Sequence, residues 1–382
     1  MSPSSAVATQ STKQLLVDVS VLAHHDARSG IQRVTKALLG ELMTSPPSGY
    51  AVRTVQASRW QGYRYLGGPF DASTVRVRSG DVFLGLDLAS RILPRHRLQL
   101  LDWRAAGGRL CFVMYDLLPH SHPDWFTRRN CVAFRRWIRT VAVHADAVAC
   151  ISQCVARQFS TWLTDQGFDP ELSPDIRWFH LGAHLPSQAA VQPLDGRIAK
   201  LALRPFLLMV GTIEPRKGYA ETLDAFEEIW RDGDPMQLVI VGRVGWKTLS
   251  LVNRLRAHAE AGRRLHWFDN ADDLTLHTLY AAASGVLVAS EAEGFGLPIF
   301  EAALHGKPLL IRDLPVFREV ARAGATYFQA TTSSAFAREL LDWFRAVKSG
   351  TAIPSKDFPI QSWADSAHQL LSSLLSKHGA NK

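Results

Sequence analysis

The chain has 382 residues, of which 47% are apolar and 20% are charged, and its formal net charge is +8. This length predicts two globular domains, each large enough for its own core, and the composition excludes a low-complexity chain. No apolar run approaches the ~18 residues that span a bilayer, so no segment is predicted to cross a membrane. The basic balance suits an anionic partner such as a nucleotide, an anionic lipid surface or nucleic acid.

The chain begins with a polar, Ser-rich stretch, 1–13, which predicts a disordered N-terminus and shows no signal-peptide pattern. The four cysteines have no CxxC spacing and no pair of histidines near them, so they are expected to be thiols rather than zinc ligands. Both features predict a cytoplasmic protein. A peripheral position on the inner face of the cytoplasmic membrane stays open at this point.

Apolar, strand-like runs alternate with helical patterns along the whole chain. In the first half these runs lie at 15–22, 50–57, 81–87, 109–118, 145–152 and 175–183. In the second half they lie at 205–213, 237–242, 264–269, 285–290, 307–313 and 325–330. Continuous apolar runs are typical of strands buried on both faces, and strand–helix alternation is typical of a doubly wound parallel sheet.

The pattern runs twice and therefore predicts an α/β protein with two Rossmann-like domains, 14–185 and 205–360, that face a central cleft. Between them, 186–204 is predicted to be a linker because it is polar and rich in proline. The last segment, 361–382, is predicted to contain a helix that packs back on the first domain. Open α/β sheets bind ligands at the carboxyl ends of their strands, so the loops there should carry the function.

The loop after the first strand of the second domain reads GTIEPRKG, 211–218. Gly211 lets the backbone approach a ligand closely at the strand end. Arg216 and Lys217 stand just before a helix that is predicted to start near Tyr219. Two cations beside a helix N-terminus suit a diphosphate, although a solvated basic turn is an equal interpretation of this motif alone.

A second loop, EGFGLPIFE at 293–301, follows a later strand. Pro298 suits the first helical position, and Leu297 before it has no side-chain oxygen to cap the helix. The amides of the first turn are then available to a phosphate. Gly294 and Gly296 are expected to let the backbone approach that phosphate.

Two carboxylates, Glu293 and Glu301, flank this loop. Carboxylates accept hydrogen bonds from hydroxyl groups, so two of them on either side of a phosphate suit the sugars at both ends of a diphosphate. An acidic first turn stabilised by the helix dipole is the alternative, and it explains Glu301 but not Glu293.

The E-x7-E spacing of 293–301 resembles that of the retaining GT-B glycosyltransferases of family GT4. The segments 211–218, 241–251, 276–290 and 362–371 resemble the C-terminal domain of that family. The segments 18–42 and 115–126 resemble the N-terminal domain of its mannosyltransferase-like branch, which builds bacterial O-antigens, capsules and exopolysaccharides. The resemblance covers nearly the whole chain.

The resemblance implies a retaining, metal-independent hexosyltransferase that needs no cofactor. It implies transfer of a sugar, with mannose from GDP-mannose as the first choice, to a glycan or a polyprenyl-diphosphate-linked acceptor in cell-surface polysaccharide synthesis. Use of a UDP- or dTDP-sugar is the alternative. A phosphorylase or epimerase of the same fold and a non-catalytic sugar-nucleotide-binding protein are further alternatives, and no nucleic acid is expected as a partner.

The same resemblance assigns the donor site residue by residue. Glu301 would hold the ribose hydroxyls, and Glu293 would lie against the donor sugar. Lys217 and Arg216 would neutralise the leaving diphosphate, and the base would lie near 268–270. The remaining donor contacts implied by the resemblance are Gly211, Thr212, Phe268, Asn270, Phe295, Gly296 and Leu297. Thr212 is a departure, because the family has an arginine there.

On the acceptor side the resemblance implies a glycine loop at Ser29 and Gly30, with Arg33 just inside the following helix. A second departure lies at Tyr115, where the family has a histidine, so the next residue, Asp116, is the preferred catalytic candidate. Asp116 could instead cap the following turn.

Two further residues are acceptor-side candidates. His120 is a substrate contact or an ordinary loop histidine. Ser152 is a helix cap or a substrate contact.

The segment 126–143 carries five arginines beside aromatic residues. As a helix it would lie on anionic lipid through a basic face and an aromatic face, or pack on its own sheet with the arginines in solvent. The sequence does not decide between these two interpretations.

Overall fold

The computed structural model describes residues 12–24, 29–183, 196–355 and 358–375. These residues form two sheets flanked by helices, one in each half of the chain. The predicted α/β class with two parallel sheets is confirmed.

The strands of the first sheet are all in the first half of the chain. They are β1 Lys13–Asp18, β2 Tyr50–Gln56, β3 Arg64–Tyr65, β4 Val82–Gly85, β5 Arg109–Met114, β6 Ala147–Cys150 and β7 Asp175–Trp178. Their order is β3-β2-β1-β4-β5-β6-β7, and every pair is parallel except β2 with the short edge strand β3.

The second sheet is entirely parallel. Its strands are β8 Phe206–Val210, β9 Gln237–Val241, β10 Leu265–Phe268, β11 Gly285–Val288, β12 Leu309–Arg312 and β13 Thr326–Phe328. The strand order is β10-β9-β8-β11-β12-β13, so successive strands are added on one side of β8 and then, from β11 onward, on its other side. In doubly wound sheets a crevice for a ligand forms at such a switch point. The loops after β8 and β11 meet there.

Helices cover both faces of the two sheets. Those of the first half are α1 Ser20–His24, α2 Gly30–Thr44, α3 Arg97–Ala105, α4 Leu118–Ser121, α5 Arg128–His144 and α6 Gln153–Asp165. Those of the second half are α7 Gly196–Ala202, α8 Tyr219–Arg231, α9 Leu249–Ala257, α10 Asp273–Ala282, α11 Leu297–Leu304, α12 Pro315–Ala321, α13 Ser333–Ser349 and α14 Trp363–Leu375. In the described ranges, no helix combines the length and apolar character required to traverse a bilayer.

Some predicted boundaries fall outside the described residues or are shifted. Residues 1–11 of the predicted disordered segment are outside, whereas Lys13 already belongs to β1. Residues 186–195 of the predicted linker are also outside, and 196–202 form α7. The final helix, α14, lies against α2, β6 and β7 of the first half. Gly182 makes this possible because a Cβ there would touch the backbone of Ser362 and Trp363.

The loop between β8 and α8 depends on one glycine. Gly218 has φ +70° and precedes α8, and a Cβ on it would collide with the carbonyl oxygen of Ala289 at the end of β11. Only glycine permits both this dihedral angle and this close approach. Gly218 therefore fixes Arg216 and Lys217 next to the loop that follows β11.

We expect Gly218→Ala to lower the free energy of unfolding by roughly 2–4 kcal/mol, because it adds a backbone collision to the strain of a positive φ. Gly233→Ala is the matched control at the other end of α8. Its φ is +85° and an added Cβ would have no atom within 4 Å, so only about 1 kcal/mol of strain is expected. Equal losses in denaturant unfolding of the two variants would contradict the role given to Gly218.

Candidate active site

The two domains touch at the loop that follows β11. The Cα of Gly294 packs so closely on the carbonyl oxygen of Tyr115, after β5, that a Cβ would collide with it. The hydroxyl of Ser152 donates a hydrogen bond to the Gly294 carbonyl at 2.8 Å. Gly294 therefore serves the contact between domains, and the expectation that it admits a phosphate stays a prediction.

Glu293 is the centre of a buried charge cluster beside this contact. Its carboxylate lies 2.7 Å from Arg216 Nη1, accepts a hydrogen bond from Lys217 Nζ, and accepts another from the Ser290 hydroxyl at 2.9 Å. Arg216 also donates to Glu214 at 2.9 Å and to the carbonyl of Ala292 at 3.1 Å. The structure thus brings both predicted cations and the first glutamate together.

Burial would raise the pKa of Glu293, but the charges of Arg216 and Lys217 overcome it and lower the pKa to about 2. Burial pulls the pKa of Arg216 down, yet Glu293, Glu214 and Asp116 leave it raised overall. Glu293 and Arg216 are therefore ionised at neutral pH, and the Arg216 and Lys217 side chains both contact the Glu293 carboxylate. An arriving diphosphate has to share Arg216 and Lys217 with Glu293.

Asp116 approaches the same cluster from the first domain. Burial raises its pKa, and the charge of Arg216 opposes that rise. Its carboxylate accepts a hydrogen bond from the Leu118 amide at 3.0 Å, which is the turn-capping alternative for this residue. A Cβ on Gly294 would lie 3.3 Å from the Asp116 Cβ, so Asp116 is next to the loop that carries Glu293.

The second glutamate, Glu301, is bonded across the cleft. One carboxylate oxygen accepts a hydrogen bond from the Arg33 guanidinium of α2, and the other accepts one from the Tyr280 hydroxyl at 2.7 Å. Arg33 was assigned to the acceptor side, but here it contacts the residue assigned to the ribose. Because both oxygens of Glu301 are occupied, ribose hydroxyls would replace or share these two partners.

The helix α11 starts one residue earlier than predicted. Gly296 is its N-cap with φ +103°, Leu297 is its first residue, and Pro298 follows. No side chain hydrogen-bonds to the first-turn amides at this cap. The prediction that a bare helix start faces the cleft is therefore retained, with Gly296 in place of Leu297 at the cap. Leu297 is half-buried.

The loop after β8 lies alongside this helix start. Gly211 has φ +147°, and its carbonyl accepts a hydrogen bond from the Tyr219 hydroxyl at 2.6 Å. A Cβ on Gly211 would lie 3.6 Å from Lys217 Nζ, which places the two residues side by side. Thr212 is half-buried next to Gly211.

The predicted base-binding residues lie farther along the same sheet edge. The Phe268 carbonyl accepts a hydrogen bond from the Gly242 amide at 3.0 Å, and Asn270 is exposed and accepts one from Arg243 at 3.1 Å. Phe295, in contrast, has a buried ring that stacks on Phe300 with centroids 4.9 Å apart. Its side chain belongs to the core, so only its backbone could contact the nucleotide sugar.

The acceptor-side candidates occupy different environments in the structure. Ser29 and Gly30 start α2, and Ser29 forms a reciprocal capping box with Gln32. The Tyr115 ring is buried and its hydroxyl donates to the Leu86 carbonyl at 2.7 Å, so this side chain does not face the cleft. His120 is exposed on α4.

Ser152 is a helix cap, and it also contacts the second domain. It caps α6 by accepting a hydrogen bond from the Val155 amide at 3.1 Å, and it donates to the Gly294 carbonyl across the cleft. Its hydroxyl is fully buried, so it is a link between domains.

Sequence reasoning missed several residues that hold the domains together. Glu319 of α12 accepts hydrogen bonds from the Gln153 and Cys154 amides at 2.7 and 2.8 Å, at the start of α6. His180 contacts the same carboxylate at 2.8 Å. On the other side of the cleft, the Trp246 indole donates to the Trp125 carbonyl at 2.8 Å. The predicted cap at Ser152 marked the start of α6, but the sequence spacing did not indicate Glu319, His180 or Trp246 as partners between the domains.

A family model described as "Glycosyl transferases group 1" matches residues 197–349. This part of the chain is a glycosyl transferase group 1 domain. The match includes the loops that carry Arg216, Lys217, Glu293 and Glu301, so the resemblance that was predicted from these loops is confirmed.

The similarity to curated relatives also includes the first half of the chain. The Escherichia coli "Serotype-specific mannosyltransferase WbdA" is 38% identical over 378 residues, which are 95% of this chain and 46% of that protein. The chain thus spans about half the length of this relative. The Escherichia coli "O-antigen chain mannosyltransferase B" is 33% identical over 130 residues, 32% of each protein.

Solved glycosyltransferase structures share the arrangement of both domains. Anabaena HepE in complex with UDP and glucose has a TM-score of 0.59 and 15% identity, with 94% of this chain and 95% of that chain covered. Sucrose-phosphate synthase of Thermosynechococcus elongatus has a TM-score of 0.62 and 15% identity, with coverages of 94% and 97%. The predicted GT-B fold is confirmed by these similarities.

We expect Gly294→Ala to separate the two domains without unfolding them, because the added Cβ cannot fit against the Tyr115 carbonyl. Small-angle scattering should show a larger radius of gyration, while the far-ultraviolet circular dichroism stays unchanged. Gly40→Ala in α2 is the matched control, since a Cβ at that position would have no atom within 4 Å. A radius of gyration equal to that of the control would show that Gly294 does not set the approach of the domains.

Proposed function

We propose that the chain is a retaining, metal-independent hexosyltransferase that uses a nucleoside diphosphate sugar and extends a glycan or lipid-linked acceptor in cell-surface polysaccharide synthesis. The observation that carries this proposal is the cluster of Glu293, Arg216 and Lys217 beside the side-chain-free start of α11. Cations, a helix N-terminus and a carboxylate are the groups that a sugar diphosphate requires. The family assignment of residues 197–349 supports the reaction class.

In the proposed reaction, the bond between the anomeric carbon and the diphosphate oxygen breaks while a bond to the acceptor oxygen forms on the same face. Negative charge develops on the leaving diphosphate, and Lys217, Arg216 and the first-turn amides of α11 stabilise it. The acceptor hydroxyl gives its proton to that diphosphate. Glu293 would contact the hydroxyls of the donor sugar, because it is bonded to both cations that would hold the diphosphate.

The donor is proposed to be GDP-mannose. The named relatives are mannosyltransferases, which supports mannose as the sugar. The base would lie near Phe268 and Asn270, at the carboxyl end of β10, and the ribose near Glu301. UDP- or dTDP-sugars are the alternatives, and a thermal-shift comparison of GDP, UDP and dTDP separates them. Saturation at about 100 times Kd stabilises a protein by roughly 2.7 kcal/mol.

Lys217→Ala should reduce the rate of sugar transfer at saturating nucleotide sugar by at least about 100-fold. One hydrogen-bond donor to a developing oxyanion contributes roughly that factor to the rate. Glu291→Ala is the matched control: Glu291 is exposed, and its amide donates to the Arg216 carbonyl at 2.8 Å, a bond that the variant retains. We expect the control to keep the parent rate. Full activity of the Lys217 variant, measured as nucleotide release with an oligosaccharide acceptor, would refute the catalytic assignment.

A further inference from the structure

An arginine-lined groove of about 940 Å³ lies on the first domain, outside the donor site. Eight of its thirteen lining residues are arginines, and within the described part of the chain none is a carboxylate. Three segments form it: the loop that begins at Arg59, the stretch 90–97, and the outer side of α5. Such a concentration of one charge creates a positive potential that attracts anions.

The orientation of α5 explains why its arginines face outward. The helix buries Phe134, Trp137 and Ile138 in the core of the first domain, while Arg129 and Arg136 stay exposed. Of the two interpretations of segment 126–143, the structure therefore favours packing of the helix on its own sheet. The helix packs on its own sheet, so its aromatic residues cannot reach a lipid, yet the arginines remain available to a partner.

The arginines of the groove have no ion-pair partner among the residues that the structure describes. In the ranges that the structure describes, none of the eight forms an ion pair, and Arg91 has only the neutral amide of Asn130 at 2.6 Å. Burial lowers the pKa of Arg91, and the charges of Arg129 and Arg59 lower it further. Unrelieved repulsion between cations is costly, and an anionic ligand would remove it.

An exposed tryptophan stands at the rim of the groove. Trp60 is 86% exposed, and the guanidinium groups of Arg59 and Arg95 lie 5.6 and 5.8 Å from its ring. On α3, Leu98 is 69% exposed next to Arg97, another lining residue. Tryptophan beside arginine is typical of protein surfaces at the membrane–water interface, where the ring enters the headgroup layer.

We propose that this groove docks the chain on a membrane surface by binding the headgroup phosphates of anionic phospholipids. Its lining residues belong to the segments that follow β2, β4 and β5, and on α5 they extend from Arg128 to Thr140. This inference does not depend on the proposed function, because lipid binding is measured without donor or acceptor.

The test is co-sedimentation of the full chain with vesicles of phosphatidylglycerol and phosphatidylcholine. We expect Arg129→Gln with Arg136→Gln to weaken binding by roughly twenty-five-fold, since each cation near an anionic surface contributes about fivefold. The control is Arg338→Gln with Arg345→Gln, which removes the same charge from exposed positions of α13. The control should bind like the parent, and unchanged circular dichroism should show that both variants fold.

Quenching of tryptophan fluorescence by brominated lipid adds an orientation readout, and Trp60→Phe should lose most of the quenching on anionic vesicles. Equal weakening in the two double variants would overturn the proposal. So would equal binding to pure phosphatidylcholine, or complete release by inorganic diphosphate, which would point to a soluble phosphate ligand. Arginine-dependent binding of duplex DNA without vesicle binding would assign the groove to nucleic acid and would also overturn it.

Discussion

A carboxylate that is buried must be paired with cations to stay ionised, and in this protein Glu293 is paired with two. Arg216 and Lys217 lower its pKa to about 2, and they in turn are placed by the turn at Gly218. Much of the donor site follows from this requirement. The loop after β8 must approach the loop after β11, which leads into the start of α11.

The contact between domains uses the same few loops. Gly294 follows Glu293 directly, and it is the residue on which the Tyr115 carbonyl and the Ser152 hydroxyl converge. Asp116, next to Tyr115, is thereby brought to the charge cluster. A change in the distance between the domains would consequently alter the electrostatics of the site, which is how domain closure can assemble a catalytic constellation.

The sequence predicted the features that local patterns encode. Continuous apolar runs marked the buried strands, and E-x7-E with GTIEPRKG marked the loops after β11 and β8. It did not predict partners that are distant along the chain, such as Arg33 for Glu301 or Glu319 for the amides that begin α6. Spacing carries no information on such pairs, because they arise only when two separately folded sheets meet. The contact of Gly294 with the first domain was not predicted for the same reason.

The central claim is that the cations on Glu293 are the ones that receive a diphosphate. Calorimetric titration of GDP into the parent and into Glu293→Gln tests it most directly. Glu293 occupies Arg216 and Lys217 and repels a second anion, so its neutral variant should bind GDP more tightly while losing sugar transfer. Unchanged or weaker GDP binding in Glu293→Gln, in a variant that remains folded, would contradict the claim.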